Sequence, residues 1–301
     1  MKLIVKSVLI CLMLLFGYNL YAVYLVSPTL RTGDSQWADN VIRAQNFIYG
    51  ERDTRVVIAG SSLSWRLDAT LLPEDLENLA FGGMSAQDGL RLLVRSGMAP
   101  ELVLVEVNYL PRPERPGFSD GLFMPGMYSA RQHIAALREQ KRPLGVIGTF
   151  LGRIIRGMGD MFKRADMQRP IASAHATGAG AVGGGQLFDK FLVKQLEGHA
   201  HPVPPKSLAS TRKNVAPLLD ALAGRGTRVV FFQLPGHPDI CDSPRIQSTL
   251  ELVHTSFSGY PYIELGNCHS VATTDGIHLD PDSARRITRE LLEQLPELLR
   301  G

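Results

Sequence analysis

Short apolar segments recur along the chain and are separated by longer amphipathic ones. Four segments are apolar throughout or nearly so: RVVIAG (55–60), ELVLVEVN (101–108), TRVVFFQLPG (227–236) and YIELGN (262–267). Apolar runs of this length are typical of strands buried on both faces of a parallel sheet. Helical periodicity marks three further segments, 86–97, 208–226 and 280–300. The alternation predicts an α/β fold with a parallel sheet and helices on both faces, in which ligands collect at the carboxyl ends of the strands.

The N-terminal segment predicts a membrane-spanning helix. Residues 7–26 include no charged side chain, and twenty residues at ~1.5 Å each cross a hydrocarbon core of ~30 Å. Lys2 and Lys6 precede this stretch, so the positive-inside rule predicts a cytoplasmic N-terminus and an exported remainder. Three tyrosines at its far end are typical of an interfacial aromatic belt: Tyr18, Tyr21 and Tyr24. We therefore expect a single-pass helix in the inner (cytoplasmic) membrane, with the following domain in the periplasm or outside the cell.

A cleaved signal peptide is the alternative interpretation of the same segment. Cleavage would follow Ala22, but Leu20 is large at a position where signal peptidase requires a small residue. The retained anchor is therefore the preferred interpretation.

The predicted elements divide the chain into a membrane segment (1–26), a stalk with a first helix (27–54) and an exported domain (55–301). An irregular insertion at about 111–205, which includes many Gly and Pro residues, interrupts the alternation of strands and helices. Within it, the low-complexity run 172–186 predicts a flexible loop. Residues 145–164 combine apolar helical spacing with Arg and Lys. They predict either a helix packed on the core of the domain or a helix lying on the membrane or against a membrane partner.

Composition excludes some classes of protein. With 45% hydrophobic and 20% charged residues, the chain is globular with a full core and is not disordered as a whole. The net charge is only +3 and the basic residues are scattered, so nucleic-acid binding has no support. Cys11 lies inside the apolar run and is interpreted as a small hydrophobic residue. Cys241 and Cys268 lie on the predicted exported side, where one intrachain disulfide is possible, and the sequence leaves that pairing open.

Candidate chemistry begins at Ser62, which follows Gly60 and Ser61 at the end of the first apolar segment. A serine alone is a weak nucleophile, and the position equally suits a turn or a helix cap. In TTDGIHLD (273–280), Asp275 precedes His278 by three residues, close enough for its carboxylate to orient the imidazole and stabilise the imidazolium.

The alternatives for this second segment are that Asp275 only caps a turn, or that Asp275 and His278 bind a metal. A metal is disfavoured because no further ligands cluster there. Asp280 is predicted to be the N-cap of the last helix.

Further donors and contacts are expected at the same edge of the sheet. The backbone N–H groups of Ser62 and Gly83 and the side-chain amide of Asn108 would form an oxyanion hole, although a packing glycine and a polar strand end are the simpler interpretations. Trp65 and His237 are candidate substrate contacts, with packing and a proline-flanked turn as their alternatives.

The order Ser, Gly, Asn, Asp-x-x-His resembles that of the SGNH or GDSL-type hydrolase superfamily. The nucleophile block of that family falls on 60–63, its glycine block on Asn78 and Gly83, its asparagine on Asn108 and its terminal block on 275–278. The resemblance implies a three-layer α/β/α sandwich and ester chemistry through an acyl-serine, with no cofactor. The chain departs from the family pattern at Ser61, where the family often has Asp, and at EVNY (106–109), where it often has Gly-x-Asn-Asp.

A Gly-Ser-Ser block behind an N-terminal anchor is similar to a membrane-anchored branch that takes part in O-acylation of cell-surface polymers. That likeness implies transfer of an acyl group, acetyl in the preferred interpretation, to an extracellular polysaccharide beside a membrane-bound O-acyltransferase. A carbohydrate or lipid esterase is one alternative. A catalytically silent scaffold or glycan-binding partner of the acyltransferase is another.

Overall fold

The chain divides into two compact units, residues 1–50 with 120–175 and residues 51–119 with 176–301, in a computed structural model that describes residues 2–26, 35–50, 53–143, 145–149 and 184–300. The middle of the predicted insertion (120–175) therefore groups with the N-terminal residues, and its two ends (111–119 and 176–205) group with the sheet.

The described elements follow one another from a long N-terminal helix to a long C-terminal one. In chain order they are α1 (Lys2–Tyr24), α2 (Gln36–Tyr49), β1 (Val56–Gly60), α3 (Ser62–Trp65), β2 (Leu76–Ala80), α4 (Ala86–Ser96), β3 (Leu102–Glu106), α5 (Pro116–Leu122), α6 (Met127–His133), α7 (Gly184–His199), α8 (Pro205–Ala223), β4 (Arg228–Gln233), α9 (Pro238–Cys241), α10 (Pro244–Ser256), β5 (Tyr262–Glu264) and α11 (Pro281–Arg300). Short 3₁₀ turns cover Ala135–Leu137, Glu139–Lys141 and Cys268–Ser270.

The five strands form one parallel sheet in the order β2-β1-β3-β4-β5. The predicted α/β class with a parallel sheet is confirmed, and the four predicted strands correspond to β1, β3, β4 and β5. Because β1 lies between β2 and β3, the residues that follow these three strands meet at one edge of the sheet.

Strand β2 was not predicted. Its sequence, LENLA, places Glu77 and Asn78 inside a five-residue segment, and both residue types are uncommon in strands. It pairs with β1 on one side only, as an edge strand. Helix α10 was also missed, although Ser243 precedes its first residue, Pro244, and accepts a hydrogen bond from the Ile246 N–H group.

Helices pack against both faces of the sheet. Apolar side chains of α11, including Ile287 and Leu291, belong to the same buried cluster as Ile58 and Leu104. On the opposite face, α4 approaches β1 at Gly89, where a Cβ atom would lie 3.2 Å from that of Ala59 and 2.8 Å from a backbone oxygen of β2. Glycine is required there by the close approach of helix and sheet.

Helix α11 begins as predicted. The Asp280 carboxylate accepts a hydrogen bond from the Ser283 N–H group at 2.8 Å, and the Asp280 carbonyl accepts the first helical bond from Ala284. Pro281 occupies the first helical position, where no N–H group is needed. Asp280 is therefore the N-cap.

In the other unit, α1 is long and apolar enough to span a membrane, judged by its length and composition. Its last turns contact the turns that follow α6: the Tyr18 hydroxyl donates to the Lys141 carbonyl at 2.8 Å, and the Ala136 N–H group donates to the Asn19 side chain at 3.2 Å. Part of the predicted insertion thus packs on the N-terminal helix.

Two predictions in the insertion fall partly outside the described residues. Of the predicted helix at 145–164, residues 145–149 are described and are helical. Of the predicted flexible run at 172–186, only residues 184–186 are described, and they form the start of α7.

Cys241 and Cys268 form a disulfide that joins the end of α9 to the 3₁₀ turn Cys268–Ser270. The Gly236 N–H group also approaches the Cys241 sulfur at 3.4 Å. The disulfide therefore links the loop after β4 to the segment that precedes the Asp275 loop.

Replacing both bonded cysteines (Cys241→Ala with Cys268→Ala) should lower the free energy of unfolding by about 3–4 kcal/mol, because the bond closes a loop of 27 residues in the unfolded chain. Denaturant unfolding of the detergent-solubilised chain measures the change. A reductant should destabilise the wild type to the same extent and leave the double variant unchanged. Equal stability of the two oxidised proteins would contradict the expectation.

Candidate active site

Three residues from distant parts of the sequence meet in the unit that contains the sheet (51–119 with 176–301, here called the sheet unit). The Ser62 Oγ atom lies 2.9 Å from the Nε2 atom of His278, and the Nδ1 atom of His278 lies 2.7 Å from the carboxylate of Asp275. Ser62 is the first residue of α3, directly after β1, and the other two lie in the loop before α11. A serine hydroxyl, an imidazole and a carboxylate are thus in hydrogen-bond contact in the order that a catalytic triad requires.

The loop that holds His278 is organised by the carboxylate of Asp275 itself. Its Oδ1 atom accepts hydrogen bonds from the N–H groups of Ile277 at 3.2 Å and of His278 at 2.9 Å, while Oδ2 faces the imidazole. Gly276 between them has a φ of 93°, which favours glycine. Asp275 therefore caps the turn and orients the imidazole at the same time, so the two interpretations of this residue are compatible.

Two opposing effects act on the Asp275 pKa. Burial raises the pKa. It is lowered by hydrogen bonds from the side chain and backbone of His278, by the charge of His278 and by the Ile277 N–H group, and these effects together outweigh burial. The net pKa is below the usual value for aspartate. The Asp275 carboxylate is therefore ionised at neutral pH and can stabilise a protonated imidazole.

The turn that presents Ser62 is held by Glu106, the last residue of β3. The Glu106 carboxylate accepts four hydrogen bonds, from the N–H group and hydroxyl of Ser61 at 2.8 and 2.6 Å and from those of Ser64 at 3.1 and 2.6 Å. Gly60 is a steric requirement of this arrangement, because a Cβ atom there would lie 2.6 Å from the Ser64 hydroxyl and 2.8 Å from the carboxylate.

The backbone N–H groups on either side of Ser62 all have hydrogen-bond partners within this turn or on Glu106. The N–H groups of Ser61 and Ser64 bind Glu106, that of Leu63 binds the Ser61 hydroxyl at 3.2 Å, and that of Trp65 binds the Ser61 carbonyl at 3.1 Å. Among the described residues, no partner is found for the N–H group of Ser62. It is the donor that the sequence predicts for an oxyanion.

The other two predicted oxyanion donors lie at the same edge of the sheet. Gly83 is in a turn after β2, closed by a bond from the Met84 N–H group to the Phe81 carbonyl, and its φ is 69°. The Asn108 side chain forms a pair of bonds with the backbone of Leu234, at 2.8 and 2.9 Å, which the sequence did not reveal. One hydrogen of its amide nitrogen is used in this pair, and the second is the one that the predicted role requires.

The two candidate substrate contacts differ in their surroundings. Trp65 ends α3, three residues after Ser62, and is partly exposed. The backbone N–H of His237 donates to the Gly276 carbonyl at 2.8 Å, which ties the loop after β4 to the loop of the triad. The His237 Nδ1 atom is buried and lacks a hydrogen-bond partner among the described residues. Contact of either residue with a substrate stays a prediction.

Neither the contribution of Glu106 and Ser64 to the site nor the supporting role of Asn78 was predicted from the sequence. The Asn78 amide donates to the Ser64 carbonyl at 2.8 Å, so the turn is also held from β2. A signal for Glu106 was present, since it is the only charged residue in the otherwise apolar segment LVLVEVN (102–108).

A small cavity of about 10 Å³ lies beside the triad, enough for about one water molecule. Its lining includes the neighbours of the triad residues, Leu63 and Ile277, together with Asn108, Tyr109 and His199. The Tyr109 hydroxyl lies 3.3 Å from the Nε2 atom of His199, whose Nδ1 atom lies 2.7 Å from the Gln195 carbonyl. Burial raises the pKa of Tyr109 to about 12, so its hydroxyl stays protonated and donates to the imidazole.

Comparison with family models and with curated proteins finds no match for this chain. The chemistry open to the site is therefore inferred from its own groups. A hydroxyl bonded to an imidazole, an ionised carboxylate behind that imidazole and a backbone donor at the hydroxyl residue together suit nucleophilic attack on a carbonyl group.

The stability of the protein should fall as the pH drops below about 6.5, the ordinary histidine pKa. Burial and then the charges of Arg245 and Arg112 hold the His199 pKa below that value, outweighing the opposing bond to the Gln195 carbonyl. The unfolded chain therefore takes up a proton that the folded chain resists. The His199→Gln variant should show a smaller loss of the free energy of unfolding between pH 7 and 5.

The matched control for this measurement is His201→Gln, at an exposed position two residues away. It should keep the pH dependence of the wild type. Identical curves for the wild type and the His199 variant would contradict the assignment.

Proposed function

We propose that this chain is a membrane-anchored, serine-dependent acyltransferase that moves an acyl group, acetyl in preference, through Ser62 to a hydroxyl of an extracellular polysaccharide. The observation that supports the proposal is the pair of contacts at His278, 2.9 Å to the Ser62 hydroxyl and 2.7 Å to the Asp275 carboxylate. The same acyl-serine would be hydrolysed by water in an esterase, so the acceptor is the part that experiment must decide.

In the first half-reaction, the Nε2 atom of His278 accepts the proton of the Ser62 hydroxyl while the oxygen attacks the acyl carbonyl carbon. The Asp275 carboxylate stabilises the imidazolium that forms. Negative charge on the carbonyl oxygen is met by the N–H group of Ser62, with Gly83 and Asn108 as the further predicted donors. The tetrahedral intermediate expels the leaving group, which takes the proton from His278, and an ester on Ser62 remains.

The second half-reaction reverses these roles. His278 accepts a proton from the acceptor hydroxyl, whose oxygen attacks the ester on Ser62, and returns that proton to the Ser62 oxygen as the ester bond breaks. A sugar hydroxyl yields an acylated polysaccharide, and water yields a free acid. The triad is regenerated in both cases.

The fold supports the same proposal. Helices on both faces of a parallel sheet fit the three-layer sandwich of the SGNH-type superfamily, and the triad residues follow the chain order of that family. We assign α1 as the anchor in the inner membrane with the sheet unit on the periplasmic or extracellular side. A membrane-bound O-acyltransferase beside it would supply the acyl group.

Ser62→Ala should abolish covalent labelling of the detergent-solubilised chain by a fluorophosphonate, because the reactive oxygen is removed. Hydrolysis of p-nitrophenyl acetate should fall by at least ~10³-fold for the same reason. Ser210→Ala, at an exposed position of α8, is the matched control and should behave as the wild type. Absence of labelling in the wild type, or labelling that survives in the Ser62 variant, would instead favour the silent scaffold.

Incubation of the wild type with an activated acetyl ester and a panel of oligosaccharides should yield acetylated sugars, detected by mass spectrometry. The Ser62→Ala variant should yield none above the uncatalysed background. Release of acetate without ester on any sugar would overturn transfer and leave the esterase.

A further inference from the structure

The two departures from the family pattern are one structural feature. Ser61 stands where the family often has an aspartate, and Glu106 stands where it often has a glycine. In the structure the hydroxyl of Ser61 lies 2.6 Å from the carboxylate of Glu106. The carboxylate that is missing from the nucleophile block is thus present on the neighbouring strand β3, in contact with the same turn.

The environment of Glu106 makes this contact strong. The residue is only 1% exposed, and Ser61 and Ser64 are completely buried. A buried carboxylate is costly unless its oxygens accept hydrogen bonds, and here they accept four. Bonds to a charged acceptor are about twice as strong as neutral ones, so the four partners are held firmly.

The four hydrogen bonds to Glu106 hold the residues on both sides of Ser62. Ser61 and Ser64 are bound on either side of Ser62, and Gly60 has no room for a side chain beneath the carboxylate. Asn78 binds the Ser64 carbonyl from the opposite neighbouring strand. The backbone at Ser62 is therefore held from both sides, while its hydroxyl bonds to His278 and its N–H group has no partner among the described residues.

We propose that Glu106 is a positioning residue for the nucleophile: its buried carboxylate, bound to Ser61 and Ser64, fixes the turn so that the Ser62 hydroxyl faces His278 and the Ser62 N–H group serves the oxyanion. Glu106 also accepts hydrogen bonds from the N–H groups of Ser61 and Ser64, so that the Ser62 N–H group is the backbone donor of this turn that stays available. The inference rests on the proposed function, since it assigns a role in the reaction of Ser62.

Glu106→Gln is the sharpest test because it keeps the shape of the side chain. One carboxylate oxygen becomes an NH₂ group, which can donate to the Ser61 hydroxyl oxygen but cannot accept a hydrogen bond from it. The charge that strengthens the other three bonds is also lost. The maximal rate of fluorophosphonate labelling should fall about 10²-fold, the size expected of a small misplacement of the reacting group. The probe concentration at half-maximal rate should not change.

The matched control is Val105→Ala, on the same strand with its side chain on the opposite face. It is fully buried, so truncation destabilises the protein without touching the turn. The folded Val105 variant should be labelled at the wild-type rate. A wild-type labelling rate in Glu106→Gln, or an equal slowing in Val105→Ala, would overturn the positioning role.

A double-mutant cycle gives an independent check. Ser61→Ala alone should slow labelling, but added to Glu106→Gln it should cause little further loss, because its hydroxyl has already lost its acceptor. Fully additive losses would contradict the proposal.

Hydrogen exchange separates failure of this inference from failure of the proposed function. If the wild type is not labelled at Ser62, the proposed function fails, but the backbone amides of 60–65 still report on the carboxylate. They should exchange faster in Glu106→Gln than in the wild type and Val105→Ala. Unchanged exchange in the Glu106 variant would overturn the fixing of the turn by itself.

Discussion

Parallel pairing of the strands is the constraint on which the site depends. Ser62 and His278 are separated by 216 positions in sequence, yet their side chains lie 2.9 Å apart. Because every strand runs in the same direction, each β-to-α connection begins at the same edge of the sheet, and residues that follow different strands meet there. The apolar runs that drive the strands into the core thus also determine where polar side chains gather.

Each half of the candidate site is then held by its neighbours in the sheet. On the Ser62 side, Glu106 from β3 and Asn78 from β2 bind the turn that follows β1. On the His278 side, the loop after β4 binds the Gly276 carbonyl through the His237 N–H group. The disulfide at Cys241 ties that same loop to the segment before the triad loop. The loop residues of the candidate site are thereby tied to the sheet by side-chain, backbone and disulfide contacts.

The sequence predicts those parts of this arrangement that depend on local pattern. Continuous apolar runs identify four of the five strands, and the Asp-Pro pair at 280–281 identifies the start of the last helix. Asp275 and His278 are close in sequence, so their contact can be foreseen. The edge strand β2 escapes because pairing with β1, not its composition, makes it a strand.

Contacts made across the sheet escape for a different reason. Nothing local to Glu106 indicates that its carboxylate binds residues 42 and 45 positions earlier. The same holds for the Asn108 side chain, whose partner Leu234 lies 126 positions away. Such polar pairs depend on strand order, which a single sequence leaves open.

Glu106 also bears on how β1 and β3 pair. In the observed register Ala59 pairs with Val105, which brings Glu106 beside Gly60 and its side chain onto the face of the turn. A slip of one residue between β1 and β3 would turn that side chain to the opposite face, against which α4 packs, and away from its four donors. An uncompensated buried charge makes that pairing costly. The buried carboxylate beside Ser62 therefore also favours the observed alignment of the two central strands.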